Sequence, residues 1–520
     1  MTTSVSNDEA SVAIAERPAA PVVAATSPKR DLYRIRHTLP SRFAFLVICV
    51  AIVLSALAYG TVHYWALGIF NLGGLTILVL WVLDAWRLGN LRISRNALQL
   101  PLLGALVLGL VQLLPLREIT VSGAAFGVVN TLTLDPNSTR LVLVQLATLF
   151  IYFSATLVFV DTPHRLRLLV RTIMVFGFCL ALFGLTQSFT SPTKVYWIRE
   201  LNQSTAFGPF INRHHFAGYM ELTIALPLGL LFAGAVDKEK RLIYLFVAGL
   251  MGVGLVMTAS RGGIISLVAE ILFLGAVTAI WRKHSDKKLT RTGRLKRLAA
   301  RAGMATALLI GLFLGVVLLG GEFSLNRFID SVNTDDPTTG RAHFWAVTLN
   351  IIKAHPYLGT GLGAFGVIYT QYDTRNGLYR LEQAHNDYLQ VLSDAGIVGA
   401  VLALSFVVLL FYKALARAKS RDDFRRGVAL AALSGCFGVL VHSFFDFTLH
   451  TTSNALLFLV LAALATLNGR VEDAPRKRRR RSRSSTESSK VAPDTELSAA
   501  PPESQLASAS TEPSAVAPGE

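Results

Sequence analysis

Five short clusters in the chain combine arginine or histidine with acidic, amide or glycine residues. In chain order they are Asn212–Ala217, Ser260–Gly263, Gly340–Trp345, His385–Asp387 and His442–Phe447, the last followed by His450 and Asn454. Arginine can hold a phosphate group with two parallel hydrogen bonds, and histidine can take up a proton near neutral pH. These residue types favour chemistry on a phosphate-bearing substrate that requires a base.

The Ser260–Gly263 cluster carries an isolated arginine. Arg261 is the only charged residue between Arg241 and Glu270, and the topology derived below places it on the outer side. One interpretation is a cation that faces an outer cavity, beside glycines that let an anionic ligand approach the backbone. The alternative is an arginine that reaches from the membrane to lipid headgroups.

A second arginine begins a predicted helix. The pattern over residues 340–356 has an apolar side and ends at Pro356, as a helix would. The charge of Arg341 would add to the positive end of the helix dipole, a combination that suits phosphate. The alternative is a surface ion pair with Asp335 or Asp336.

The His385–Asp387 cluster opens another predicted helix, which enters the membrane from about residue 384. Asn386 or Asp387 can cap this helix, and Gly396 and Gly399 would let it pack closely on a neighbour. A lone histidine at such a place is more often solvated. The two polar residues beside His385 and the two outward arginines make it the candidate base.

The remaining two clusters supply supporting candidates. His214 and His215 are adjacent, and adjacent residues of a helix point in different directions. We therefore predict no metal and no cofactor there, but contacts of Arg213 and His215 with headgroups or sugars. Asp446 lies near the outer end of a predicted span, where a charge is usually paired or functional, so an ion pair with one of the arginines is equally open.

The elements that must position these residues are membrane helices. The 520 residues are 52% hydrophobic and only 16% charged, whereas soluble domains carry about 25% charged residues. Apolar runs long enough to cross the bilayer recur twelve times, near residues 43–60, 64–83, 97–115, 141–160, 168–187, 216–235, 242–258, 263–281, 302–320, 394–412, 428–447 and 453–468. The fold class predicted is an all-α polytopic membrane protein of about 12 transmembrane helices.

The net charge of +17 is explained by topology. With both ends in the cytoplasm, inner segments hold 39 of the 50 Lys and Arg residues and outer segments hold 11, as the positive-inside rule requires. Nucleic acid is therefore not a predicted partner, and the basic run at residues 476–483 would rest on anionic lipid. The three outward arginines of the clusters belong to the minority of 11.

The chain divides into three predicted parts. Residues 1–40 and 469–520 lack the apolar content to fold and are predicted to be disordered cytoplasmic tails. Residues 41–468 form the transmembrane domain, in which 321–393 is a large, partly helical outer loop before the tenth span. Within this loop, Gly359, Gly361 and Gly363 favour a tight turn.

These motifs together resemble the bacterial O-antigen ligase and polysaccharide polymerase superfamily. The most specific element is His385-Asn386, nine residues and then Gly396-Ile-Val-Gly399. The Ser-Arg-Gly-Gly hairpin, the loop helix with Arg341 and Trp345, and the glycine turn up to Phe365 are similar as well. The resemblance covers roughly residues 40–468. The Asn212–Ala217 segment departs from the asparagine-rich form that is common in the family.

The resemblance implies a metal-independent membrane glycosyltransferase of class C-like architecture in the bacterial inner membrane. The donor would be a glycan on undecaprenyl diphosphate at the outer, periplasmic face. The acceptor would be a glycan or lipid A-core hydroxyl, in lipopolysaccharide or exopolysaccharide biosynthesis, and other polysaccharide-export components would be partners. In our mechanistic hypothesis Arg261 and Arg341 hold the diphosphate, His385 is the base and Asn386 orients His385 or the acceptor.

Two other functions stay open at this point. A twelve-helix flippase or transporter of lipid-linked oligosaccharides would place charges near the bilayer midplane and show internal repeats, whereas here the polar residues gather at one face. A protein O-oligosaccharyltransferase would need the same donor site and differ only in its acceptor.

Overall fold

A computed structural model describes residues 37–116, 130–201, 206–285, 340–375 and 381–472, with isolated residues 292, 303, 306 and 310. The α-helices of these ranges are α1 Leu39–Leu57, α2 Tyr64–Leu88, α3 Gln99–Gln112, α4 Pro136–Phe159, α5 Pro163–Thr190, α6 Arg213–Ala233, α7 Arg241–Met257, α8 Arg261–Ser285, α9 Arg341–Ala354, α10 Phe365–Tyr372, α11 Asp387–Arg417, α12 Asp423–His442 and α13 Thr452–Thr466. Two-residue strands β1 Lys194–Val195 and β2 Arg199–Glu200 form an antiparallel hairpin. Short 3₁₀ helices cover Tyr59–Thr61, Lys238–Lys240, Thr448–His450 and Gly469–Val471.

The helical, membrane-protein prediction is confirmed. Among the described residues, nine helices are long and apolar enough to cross a membrane, if α7 is counted with the 3₁₀ turn that precedes it, and α3 and α13 are shorter apolar helices. These eleven coincide with eleven of the predicted spans. The remaining span, residues 302–320, lies outside the described residues except for three isolated positions, so the total of twelve stays a prediction. The two predicted tails and residues 321–339 of the outer loop also lie almost wholly outside them.

Helix α6 forms the centre of the bundle. Every residue from His215 to Ala233 is buried, and α6 packs against α12, α8, α7 and α5. Small residues allow the approach to α12, because a Cβ on Gly229 would lie 2.3 Å from that of Ala431. In lipid, no hydrophobic driving force brings helices together, so their association depends on van der Waals packing of closely approaching backbones such as these.

The described part of residues 321–393 contains helices α9 and α10 with a glycine turn between them. Helix α9 occupies the predicted stretch from Arg341 and ends before Pro356. The three glycines of the turn all have positive φ, which is conformational space that only glycine enters readily. Helix α11 is kinked at Gly396, where a Cβ would lie 2.3 Å from the carbonyl oxygen of Tyr357. The predicted close packing at Gly396 is thus with the loop that precedes the turn.

The ends of five helices meet around one place. The starts of α6, α8, α9 and α11 and the end of α12 carry all five clusters named above. The starts of α6, α8 and α11 lie next to the end of α12, so the clusters share one end of the bundle.

Candidate active site

The carboxylate of Asp446 is the common partner of three basic side chains. Its Oδ2 lies 3.3 Å from Nη2 of Arg341 and 3.7 Å from Nδ1 of His214. Its Oδ1 lies 3.2 Å from Nδ1 of His385. The Asp446 side chain is only 1% exposed, whereas the three basic side chains are about one-quarter exposed. A buried anion therefore holds three cationic or basic groups at the edge of the bundle.

The turn after α12 fixes this carboxylate. The backbone N–H of Asp446 donates to the carbonyl of His442, and Oδ1 also accepts from the N–H of Phe447. Burial raises the pKa of Asp446, but the hydrogen bond with His385 and the basic side chains of His214, His385 and Arg341 outweigh burial and hold the pKa well below its ordinary value. Asp446 is therefore ionised throughout the neutral range.

His385 is held in an unusual backbone conformation. Its φ is 51°, in the left-handed region that costs a non-glycine residue about 1–2 kcal/mol. The preceding residue is bonded on both sides, because Ala384 donates N–H to Gln390 Oε1 and accepts at its carbonyl from Trp345 Nε1. The surroundings thus determine where the imidazole points. This kind of strain is characteristic of functional sites.

The ring of His385 has a defined tautomer. Since ionised Asp446 can only accept, Nδ1 of His385 carries the hydrogen between them. The other nitrogen, Nε2, makes no hydrogen bond to any described residue and is not enclosed. In the neutral imidazole, Nε2 is then an available proton acceptor.

Asn386 acts on the backbone. Its Oδ1 caps α11 by accepting from the N–H groups of Tyr388 and Leu389, and its Nδ2 donates to the carbonyl of Phe444. The predicted cap is therefore present. Through it Asn386 joins the start of α11 to the turn that carries Asp446, which fixes the residue next to His385.

Arg261 begins α8 beside a serine that touches the Asp446 cluster. Oγ of Ser260 lies 2.8 Å from Nδ1 of His214 and accepts from the N–H of Gly263. A Cβ on Gly262 would lie 2.7 Å from Cδ2 of His442. The hairpin thus packs directly on the end of α12, and Arg261 is placed one residue from the contact with His214.

The structure brings most of the predicted site residues together. Arg341, His385 and Asp446 are in contact, and Phe447 connects His385 with His215, since its ring centroid lies 4.8 Å from the former and 4.9 Å from the latter. His215 is otherwise buried. Arg213 begins α6 next to His214. The alternative partners of Arg341, Asp335 and Asp336, lie outside the described residues.

Sequence reasoning missed three side-chain contacts. His214, rather than His215, reaches Asp446. Asp387 and His450 form a second pair, with Oδ1 and Nδ1 2.6 Å apart. Glu221 and His442 form a third, fully buried pair at 2.7 Å. Within the described ranges, no three or more His, Cys, Asp or Glu side chains are arranged so that they could hold a metal ion.

A family model described as O-antigen ligase matches residues 246–404 of the chain. This range contains Arg261, Arg341, His385 and Asn386, whereas Arg213, His215 and Asp446 lie outside it. The resemblance inferred from the sequence motifs is confirmed over this range. No curated protein sequence matches the chain.

Proposed function

We propose that this chain, whose residues 246–404 carry the domain of the O-antigen ligase family, is a membrane glycosyltransferase that moves a glycan from undecaprenyl diphosphate to a sugar hydroxyl. The acceptor is a lipid A-core sugar or the next lipid-linked repeat. The site faces the outer side of the inner membrane, with both chain ends in the cytoplasm.

One observation carries this proposal: an arginine that can bind phosphate and a histidine that can act as a base share one carboxylate. Arg341 and His385 bind the two oxygens of Asp446 at 3.3 and 3.2 Å. Asp446 thereby sets the distance between the arginine that holds the leaving group and the histidine that activates the acceptor. Such positioning is a large part of what an enzyme supplies in a two-substrate reaction.

The reaction then proceeds as a single displacement. Nε2 of His385 takes the proton of the acceptor hydroxyl while the hydroxyl oxygen bonds to the anomeric carbon of the donor glycan. The bond from that carbon to the phosphate oxygen breaks, and its electron pair leaves with undecaprenyl diphosphate. Asp446 stabilises the imidazolium that forms, because it is an anion 3.2 Å from Nδ1.

The arginines compensate the charge of the leaving diphosphate. Arg261 and Arg341 are permanently charged and stand at the first positions of α8 and α9, where the helix dipoles add positive potential. Two fixed cations can stabilise the developing charge, so the proposed mechanism needs no divalent metal. Arg213 and His215 support the headgroup side of the site, and Asn386 fixes the backbone that carries His385.

The test is transfer by the purified full-length protein. It is supplied with an undecaprenyl diphosphate-linked glycan and, in separate reactions, lipid A-core, lipid-linked repeat and a protein acceptor, in a chelating buffer. We expect transfer to one of the two glycan acceptors. Transfer only to the protein acceptor would instead support an O-oligosaccharyltransferase, and strict dependence on divalent metal would contradict the arginine-based mechanism. ATP-independent glycolipid flipping in vesicles without transfer would support the transporter.

A further inference from the structure

A second histidine–aspartate pair lies beside the first, with the partners exchanged. In the first pair the histidine comes from the start of α11 and the aspartate from the turn after α12. In the second, Asp387 comes from the start of α11 and His450 from the 3₁₀ helix after that turn, with Oδ1 and Nδ1 2.6 Å apart. The mechanism proposed above uses only the first pair.

The second pair is rigidly held. Asp387 is buried, and its Oδ2 accepts from Oγ of Ser443 at 2.7 Å and from the N–H of Leu449 at 3.3 Å. Its own N–H donates to the carbonyl of Ser443. The carboxylate can therefore hold the His450 ring in one orientation, as a carboxylate does for the imidazole of many sites.

The outer edge of the His450 ring is available to a ligand. The side chain is 32% exposed. Its Nδ1 is occupied by Asp387, and its Nε2 makes no hydrogen bond to any residue within the described ranges and is not enclosed. A fixed imidazole with one open nitrogen is arranged to meet a group from outside the chain.

The charges around His450 differ from those around His385. Among the described residues, the charged groups that act on it are the carboxylates of Asp387 and Asp394, both on α11, and none of them is an arginine. Oδ1 of Asp394 is buried and has no hydrogen-bond partner among the described residues. Two carboxylates disfavour a diphosphate here, whereas a neutral sugar can donate hydroxyl hydrogens to acidic groups and accept from the imidazole.

We propose that Nε2 of His450 binds the acceptor glycan, by donating a hydrogen bond to one of its hydroxyl oxygens. This inference rests on the proposed function and divides its site into two sides. The arginine side, with Arg261, Arg341 and Asp446, takes the donor diphosphate. The side formed by His450 and Asp387 takes the acceptor sugar.

The protonation state of His450 agrees with a donor role. Burial lowers the pKa of His450, but the hydrogen bond and charge of Asp387 and the charge of Asp394 outweigh it and raise the pKa above its ordinary value. The raised pKa favours the imidazolium form, in which both ring nitrogens carry hydrogen and Nε2 can donate.

The test measures binding of each substrate separately on the full-length protein in nanodiscs. The acceptor probe is a repeat-unit oligosaccharide from the host's own surface polysaccharide, and the donor-side probe is undecaprenyl diphosphate. For His450→Ala we expect the Kd of the oligosaccharide to rise about 10–100-fold, the range for a hydrogen bond to a charged group. The Kd of undecaprenyl diphosphate should not change. Arg341→Ala should show the reverse pattern.

A conservative variant separates binding from anchoring. In His450→Gln the single amide NH₂ can still donate to Asp387, but no second nitrogen faces outward. We expect oligosaccharide binding to stay weak in His450→Gln, and full recovery would overturn the proposal because it would show that His450 only anchors the turn. The matched control is His164→Ala, an exposed histidine at the start of α5, which should bind both probes like the wild type.

Two further outcomes are decisive. The acceptor role would be contradicted if the wild type did not bind the oligosaccharide. It would also be contradicted if His450→Ala bound undecaprenyl diphosphate more weakly than the wild type. Normal oligosaccharide binding without transfer by the wild type would contradict the proposed transferase function and leave the binding role of His450 supported.

Discussion

Nδ1 of His385 lies 3.2 Å from Oδ1 of Asp446, although 61 positions separate the two residues in the chain. The other oxygen of the same carboxylate lies 3.3 Å from Arg341. A base and a phosphate ligand are therefore coupled through one buried anion. Any change to this anion should affect acceptor activation and donor binding together, whereas changes to either partner should be separable.

Replacing His385 by asparagine tests the base. Asparagine tolerates the positive φ of this position better than most residues, so the backbone should survive while the proton acceptor is lost. We expect the turnover rate for glycan transfer to fall about 10²–10⁴-fold, with donor affinity nearly unchanged. The measurement is single-turnover transfer at saturating donor, beside undecaprenyl diphosphate binding. Near-normal transfer at equal protein abundance would remove His385 from the catalytic role.

Replacing Arg341 tests the diphosphate ligand. Arg341→Lys keeps the charge but loses the planar fork that fits phosphate with two hydrogen bonds, so we expect the KM for donor to rise about tenfold. Arg341→Ala should raise it further, and Arg261→Ala should have a similar effect. Steady-state kinetics with varied donor measure this. The control is Arg199→Ala in the β1–β2 hairpin, and an equal effect of that variant would show that surface charge alone matters.

The sequence was sufficient to predict the membrane helices. Apolar runs of bilayer length have a single physical solution, an α-helix, so eleven predicted spans coincide with apolar helices. Arg341 and His385 could be chosen as candidates because arginine suits phosphate and histidine can act as a base near neutral pH. Neither property depends on which helices are neighbours.

The pairings between these residues could not be read from the sequence. That Asp446 serves three basic residues depends on how α6, α9, α11 and the turn after α12 meet, and such contacts join residues tens to hundreds of positions apart. The contact of His214 with Asp446 could not be read from the sequence either, since it depends on the rotation of α6. Asp387–His450 and Glu221–His442 carried only the weak signal of polar residues near span ends.

Replacing Gly262 tests the packing of the arginine hairpin on α12. A Cβ at this position would lie 2.7 Å from Cδ2 of His442 and 2.9 Å from Cβ of Phe445, and His442 is completely buried. We expect Gly262→Ala to destabilise the protein by about 1–3 kcal/mol, as overpacking does. The matched control in the same helix is Gly275→Ala, where the Cβ would contact nothing within 4 Å. The thermal unfolding temperature in detergent should be lower than that of the wild type for Gly262→Ala only. Equal unfolding temperatures would mean that α8 shifts without cost.

The pH dependence of stability tests the charge of Asp446. Its folded-state pKa lies well below the ordinary value because the hydrogen bond with His385 and the neighbouring cations outweigh burial. A lowered pKa contributes stability that is complete above the unfolded-state pKa of about 3.9 and is lost as the pH falls towards the folded-state value. The unfolding temperature of the wild type should therefore exceed that of Asp446→Asn above about pH 5, and the difference should shrink below about pH 4. Asp237→Asn, at an exposed carboxylate paired with Lys240, is the control and should follow the wild type.

A difference between wild type and Asp446→Asn that stays constant down to pH values where the wild type unfolds would be compatible with a still lower pKa of Asp446. A difference that disappears already between pH 7 and pH 5 would contradict the ionised state of Asp446. Donor binding by Arg341 and acceptor activation by His385 both depend on that state.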